Sequence, residues 1–465
     1  MLDEPMRGLA ELPGVLTDAL DAYEQPARGA GGRALAVVRP ASVVEVRAVV
    51  HWALAHGVRL LPQGANTGLV GASVPDGSAS MVVLSTERLV APLSIDPLEQ
   101  VAQVGAGVRL SSLNAAAAVH GLHLPIDLSA DPTIGGMVCT NTGGARVLRH
   151  GPLRRHVLDV GFVAADEDVS WSPGGRQVRK DSRGVDLAHV MVGSGGALAI
   201  VTGVTLALTP FPKQRTTWWI IPAIGAEVAL FERLNAFGDL SAFELVSRAA
   251  LAPLAHALGA VRLPFALSQI QDSIVLAEWS SPTAAIDAFA EVPALLARMS
   301  VPSDQLVVDA VEVPVPVAWS VRHALTDGLR AAGVVVGHDV AVPRAAIPDL
   351  RRRCRDTVAS IASRAVLCDF GHAGDGGMHL NVLFPREVDP PTADERALLR
   401  AAIDALVATE GTYSAEHGLG PLNADTWLAA TSSLERSIIA SLKSTLDPHR
   451  LLGHPGHPYN RLATS

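Results

Sequence analysis

Pro62–Ser73 reads PQGANTGLVGAS and follows directly on the apolar run VRLL. Gly64, Gly68 and Gly71 are interleaved there with small and hydroxyl-bearing residues, so bare backbone N–H groups can converge on a phosphate as in an anion nest. An ordinary glycine loop satisfies the same letters. A second stretch shifts the balance: Asp131–Gly144 reads DPTIGGMVCTNTGG, with the polar Asn141 between two glycine pairs. Two small-residue loops in one domain suit a ligand with a pyrophosphate and an extended body. A third glycine segment, VAQVGAGVRLSSL at Val101–Leu113, imitates a dinucleotide fingerprint through Gly105, Gly107 and the distant acid Asp127, but Leu110 stands where the third glycine is needed. A tight turn accounts for it better.

Around these loops, from about Ala34 to Leu208, short strand-like runs (LAVVRP, VRLLPQG, MVVLS, VAQVGAG) alternate with Ala-rich helical windows such as Val44–His56 and Leu110–His120. Thr209–Gln214, with two prolines, reads as a crossing into a second unit. Beyond it WWII, AFELV and SIVLAEW alternate with helical windows near Ala226–Phe237, Thr283–Met299 and Val317–Ala332, which predicts a small antiparallel sheet with helices on one face. Leu434–Asn460 reads as a helix followed by a Pro/Gly/His-rich tail. Val190–Leu208 lacks charge and approaches the length of a spanning helix, but four glycines and its β-branched residues favour two buried strands around a glycine turn.

The 465 residues are 49% hydrophobic, 18% charged and 4% aromatic, enough for two or three globular domains and against disorder. With 37 basic and 46 acidic residues the net charge is −9, the wrong sign for neutralising phosphates, so nucleic acid is not an expected partner. Cys139, Cys354 and Cys368 form no CxxC and fit a reducing compartment. The start, MLDEPMRGLAELPG, has neither the basic nor the apolar region of a secretory signal, and a cytoplasmic location is expected.

A second constellation carries chemistry. His372 and His379 bracket AGDGGM, while Glu416 and His417 lie in another glycine-flanked turn, SAEHGLG. Loop histidines are common on surfaces. Folded together, two neutral imidazoles and a carboxylate would leave coordination positions open for a substrate. Asn381, two residues beyond His379, shares its face if the segment is a strand. In WSVRHALTDGLR, Trp319, Arg322, Thr326 and Arg330 recur at helical spacing, and an arginine there can grip a carboxylate bidentately. A solvated arginine stripe is the plainer reading of that pattern.

The succession PQGANTGLVGASVP, HLPIDLSADPTIGGMVCTNTGGARVLRHG and RKDSRGVDLAHVMVGSGGALAIVTGVTLAL resembles the FAD-binding half of the vanillyl-alcohol-oxidase-type flavoproteins, the PCMH-type domain. GHAGDGGMHLNV and SAEHGLG are similar to signatures of the FAD-linked D-2-hydroxy acid dehydrogenases, which act on acids such as D-2-hydroxyglutarate and D-lactate. The resemblance implies an α+β chain: an N-terminal helical segment (1–33), a two-subdomain PCMH-type FAD-binding domain (34–212), a ferredoxin-like α+β substrate or cap domain with a metal site (213–433), and a C-terminal segment returning to the FAD domain (434–465).

It implies further that Pro62, Gly64, Ala65, Asn66, Thr67 and Gly68 wrap the FAD pyrophosphate. Leu69, Gly71, Ser73, Pro125, Thr133, Gly135, Gly136, Asn141, Gly143, Gly144, Ile200 and Asn460 complete the flavin site. Relatives with covalent flavin often use a histidine near the first glycine loop; Gln63, Ala65 and Asn66 stand here, so non-covalent FAD is expected. His372, His379 and Glu416 become ligands of a divalent metal, usually zinc, and His417 the base. The alcohol's C2 would pass hydride to flavin N5 and yield a 2-oxo acid, with Arg322, Thr326 and Asn381 holding the substrate. A flavoprotein, quinone or cytochrome would then accept the electrons, and a homodimer is compatible with the family.

Several family positions differ. GSEGTLG has become GSGGALA, placing Gly195, Ala197 and Ala199 where the family has Glu, Thr and Gly. The glutamate after the helix arginine is His323, the lysine before the H/Y-D-V-S-x-P strand is Gly337, DGN is DGG, and the terminal LNPGK is LGHPGH. These changes fit an altered substrate or acceptor, or a slow enzyme. They also leave room for a lapsed flavin-binding subunit or a metal-independent FAD oxidase of an alcohol or sugar.

Overall fold

The computed structural model describes residues 8–27, 29–257, 263–283 and 289–462. The chain forms two compact units: Met1–Gly143 with Pro152–Phe211 and Glu416–Ser465, and Gly144–Gly151 with Pro212–Ala415.

In the first unit β1 (Ala36–Val38), β2 (Arg59–Gln63) and β3 (Met81–Ser85) form a parallel sheet in the order β1-β3-β2. Parallel pairing needs a crossover, which is the helix Val43–His56. The Ser42 hydroxyl caps it by accepting from the Glu45 N–H, and Gly57 at φ 62° ends it. The strands are apolar on both faces. Ala36, Val38, Leu60, Val82 and Leu84 enter the unit's main core, while Val37, Leu61, Met81 and Val83 enter a smaller one.

The remaining strands of this unit are β4 (Leu93–Asp96), β5 (Val101–Gly105), β6 (Leu122–His123), β7 (Val157–Val163), β8 (Trp171–Ser172), β9 (Ile200–Ala207) and β10 (Thr209–Pro210). They build an antiparallel sheet, β4-β5-β9-β7-β8, and the pair β6-β10. Where two strands around a glycine turn were expected within Val190–Leu208, the segment holds one strand, β9. Gly203 is no turn: it stands opposite Gly105 of β5 and Gly161 of β7. Gly105 and Gly161 serve close approach, since a Cβ on Gly105 would lie 2.2 Å from the Leu89 carbonyl oxygen and one on Gly161 2.8 Å from that of Pro173, whereas one on Gly203 would make an ordinary contact, 3.6 Å from the Val104 oxygen. Gly107 packs as tightly, its Cβ position 2.2 Å from the Thr86 oxygen, which explains the false dinucleotide pattern as a tight turn.

The second unit contains β11 (Gln214–Pro222), β12 (Leu240–Ser247), β13 (Ser273–Ser281), β14 (Val307–Glu312), β15 (Gly333–Ala341), β16 (Val366–Gly371) and β17 (Gly377–Pro385). They form one antiparallel sheet ordered β14-β11-β13-β12-β16-β17-β15. Helices cover both faces, not one, because the central strands are apolar on both. Phe243, Leu245, Val275 and Ala277 pack with the helices Glu227–Ala236, Ile347–Ile361 and Ala393–Val407. Ala242, Val246, Ile274 and Leu276 pack with Arg248–Ala257 and Val315–Ala332. The helix expected over Thr283–Met299 is described at Val292–Arg298; residues 284–288 lie outside the described residues. Among the described residues no helix is long and apolar enough to cross a membrane.

Candidate active site

In the first unit the strand β2 delivers Pro62 and Gln63 at its end, and the chain then turns through Asn66 in a left-handed conformation, φ 53°. Among the described residues no protein acceptor stands opposite the N–H groups of Ala65, Thr67, Gly68 or Leu69. That is the donor array a pyrophosphate requires. The loop is braced from behind: the Gln63 amide donates to the carbonyls of Ser73 (2.6 Å) and Tyr23 (2.9 Å), and Ser73 Oγ donates to Asn66 Oδ1 at 3.0 Å. Asn66 and Ser73 therefore spend side-chain capacity on shaping the loop.

The second glycine loop runs alongside. Thr133 caps the helix Ile134–Thr140, accepting from the Gly136 N–H, and a Cβ on Gly64 would lie 2.1 Å from Thr133 Oγ1. Gly135 packs on Ala106, and Asn141, at φ 50°, ends the helix while its Oδ1 accepts from the Arg154 N–H. Gly143 closes this stretch of the unit, and Gly144, at φ 121°, opens the next. Pro125 and Ile200 are buried, Ile200 within the core of β9. Asn460 donates to the carbonyls of Leu452 and His454, while its buried Oδ1 has no hydrogen-bond partner among the described residues.

The turn SAEHGLG meets the same loops. A Cβ on Gly418 would sit 3.5 Å from Thr140 Cα, one on Gly420 would strike the Val70 oxygen at 2.5 Å, and the Leu419 oxygen is 3.3 Å from the Cβ position of Gly195. Glu416 and His417 thus start a segment packed against the two glycine loops. Gly195 itself has φ 64°, and a side chain there would meet His457 Nε2 at 2.5 Å. Ala197 is tied to the C-terminal segment, its carbonyl accepting from Lys443 Nζ at 2.6 Å.

In the second unit His372 leaves β16 and His379 lies on β17, their rings edge to face with centroids 5.4 Å apart. Asp339 of β15 stands opposite His379, 3.6 Å from its Nδ1. Asn381 is two residues on along β17, as strand geometry predicts, and pairs with Gly337 across the ladder. The helix Val315–Ala332 divides the expected stripe: Trp319 and Arg322 are buried, Thr326 and Arg330 exposed, with Arg330 3.9 Å from Asp327. Arg322 Nε donates to Glu244 at 2.7 Å, and its guanidinium lies over the Phe370 ring. Glu244, on β12, is buried. Burial raises its pKa, but His372 and Arg322 outweigh that and hold it at about 2.

Sequence reasoning missed this carboxylate and its neighbour Glu278 of β13. Glu278 accepts from Arg146 Nε (2.7 Å), Trp319 Nε1 (2.7 Å) and Ser241 Oγ (3.0 Å). The signal was present: one acid inside each of the apolar runs SAFELVS and SIVLAEWSS is a charge that must be buried and paired. Burial pushes the thiols of Cys139, Cys354 and Cys368 up to about 12, far from thiolate chemistry.

Residues 34–172 match an FAD binding domain and residues 215–456 match the C-terminal domain of FAD linked oxidases. A D-2-hydroxyglutarate dehydrogenase of Xanthomonas citri pv. viticola is 33% identical over 438 residues, covering 91% of this chain and 88% of that protein. The chain belongs to the FAD-linked D-2-hydroxy acid dehydrogenases. A D-lactate dehydrogenase of Archaeoglobus fulgidus, 29% identical, spans 92% of the enzyme and 91% of its own length. Solved structures share the fold: p-cresol methylhydroxylase (TM-score 0.71, 16% identity, 96% and 94% covered) and alkyldihydroxyacetonephosphate synthase (0.69, 16%, 94% and 81%). The enzyme is therefore an FAD-linked oxidoreductase acting on CH–OH groups, with an α+β fold of separate FAD-binding and C-terminal sheet domains. One expectation is corrected. The related D-2-hydroxyglutarate dehydrogenases of Bos taurus, Rattus norvegicus and Danio rerio are mitochondrial, so the reading of a cytoplasmic location is overturned.

Proposed function

We propose that the enzyme oxidises a small D-2-hydroxy acid, of the D-lactate or D-2-hydroxyglutarate type, to the 2-oxo acid, assisted by a divalent metal on His372, His379 and Glu416. The observation that carries this reading is the paired histidines of the sheet unit, one of them fixed by a buried carboxylate, Glu244 Oε1 lying 2.6 Å from His372 Nδ1. A carboxylate behind an imidazole sets its tautomer and raises its basicity as a ligand. Two imidazoles and one carboxylate suit zinc or a similar ion, which when bound would polarise the substrate hydroxyl. FAD, held non-covalently by the two glycine loops, supplies the hydride acceptor.

The chain's own residues then divide the work. His417 takes the hydroxyl proton, and the SAEHGLG turn that carries it packs Gly418 and Gly420 against the two glycine loops. Arg322, neutralised on one edge by Glu244, directs its remaining N–H groups to the substrate carboxylate. Asn381 orients a substrate oxygen from the same strand as His379, and Thr326 marks the outer limit of the binding region. Gly337, beside Asn381 in the ladder, offers no cation for a second carboxylate, which favours a monocarboxylic acid such as D-lactate.

Chelation tests the metal. Prolonged dialysis against a chelator should leave FAD bound and suppress flavin reduction by the D-acid by at least tenfold, with zinc restoring it. Full reduction in metal-free enzyme would end the metal-assisted reading and favour a metal-independent oxidase.

A further inference from the structure

We propose that Glu244 is a positioning residue that sets a metal ligand and the substrate-binding arginine from a single carboxylate; this rests on the roles given above to His372 and Arg322. Each oxygen has one duty: Oε1 lies 2.6 Å from His372 Nδ1, and Oε2 accepts from Arg322 Nε at 2.7 Å. The contacts close into a ring. The Arg322 guanidinium lies 4.8 Å from the centroid of Phe370, Phe370 meets His379 edge-on at 5.6 Å, and His379 meets His372 at 5.4 Å. Glu244 comes from the middle of the sheet, on β12 between β13 and β16: it pairs with Leu276 of β13, and the next residue, Leu245, pairs with Gly371 of β16.

The chemistry requires an ionised acid at this position. A carboxylate only accepts, so the His372 proton must reside on Nδ1 and the ring's lone pair on Nε2, the nitrogen then suited to a metal. Arg322 Nε also needs an acceptor, because an uncompensated guanidinium is costly in a buried setting. Glutamine can satisfy only one of the two. With its amide oxygen on Arg322, its NH2 faces His372 Nδ1 and selects the opposite tautomer, in which Nε2 carries the proton and cannot ligate. Glu244 would thereby coordinate metal affinity with the orientation of the arginine.

The test uses the full-length, FAD-loaded enzyme and zinc as the probe. Zinc affinity of wild type, Glu244→Gln and His372→Ala is measured by chelator competition, with FAD stoichiometry and melting temperature as controls. Glu244→Gln should bind zinc about 10–100-fold more weakly, raise KM for the reducing D-acid and keep its FAD. If His372→Ala loses zinc while Glu244→Gln binds it as wild type does, the inference about Glu244 is overturned and the metal reading stands. Wild-type zinc affinity in His372→Ala would overturn the metal reading itself, and this inference with it. A second measurement needs no variant at Glu244: ring 15N spectra of His372 in the wild-type enzyme, assigned by their loss in His372→Ala, should show Nδ1 protonated with and without zinc. A ring protonated at Nε2 would contradict the proposal.

Discussion

His417 carries the sharpest residue-scale expectation. Replacing it with alanine should leave FAD bound, since the turn that holds it is fixed by Gly418 and Gly420 against the flavin loops, yet slow flavin reduction by about 10²–10⁴-fold. Anaerobic stopped-flow absorbance measures this, and wild-type rates would remove His417 from its role. A second expectation concerns pH. His457 is buried, and that burial, reinforced by the Lys443 cation, lowers its pKa from 6.5 to about 3. The unfolded chain takes up a proton below about pH 6.5 that the folded ring refuses, so its contribution to stability is complete above that pH and is lost as pH falls toward 3. Melting temperatures between pH 7 and 4 should fall less steeply in a His457→Gln variant; parallel slopes would contradict this. The same histidine explains a family departure that was legible only as a loss. At Gly195 a side chain would be strained, because φ 64° is a conformation L residues rarely adopt and a Cβ there would lie 2.5 Å from His457 Nε2.

Among the elements, what was legible followed from local periodicity, and what was missed depended on partners far along the chain. The helix Val43–His56 could be read from its pattern, as the window Val44–His56. The glycine turn expected within Val190–Leu208 does not fall at Gly203, which lies inside β9 opposite Gly105 and Gly161, and that pairing depends on residues far along the chain. Helices on both faces of the seven-stranded sheet likewise follow from strands apolar on both sides, a pattern that AFELV and SIVLAEW already carried apart from their single acids. Those acids hold the sheet to its helix. Glu278→Ala would remove a buried acceptor from both Arg146 and Trp319, at a cost of about 3–5 kcal/mol. Urea unfolding of the FAD-loaded enzyme checks it, and a loss under 1 kcal/mol would show the pair to be dispensable.

For the whole molecule, the glycine loops and the two histidine turns were sufficient to place the chain among the FAD-linked D-2-hydroxy acid dehydrogenases before any coordinates. Composition excluded little beyond disorder and supplied a misleading location, because the absence of a visible export signal says nothing of the mitochondrial membership seen among relatives. Substrate choice was the least legible: in the reading proposed above it turns on Gly337, Arg322 and Glu244, and the partnership of the last two is seen only in three dimensions. The central claim, hydride removal from a D-2-hydroxy acid by bound flavin, is tested most directly by the anaerobic visible spectrum of the FAD-loaded enzyme. D-lactate, D-2-hydroxyglutarate and their L-enantiomers are added in turn. Bleaching by a D-acid and not by its L-enantiomer is the predicted result, whereas a flavin spectrum unchanged by all four would contradict the account.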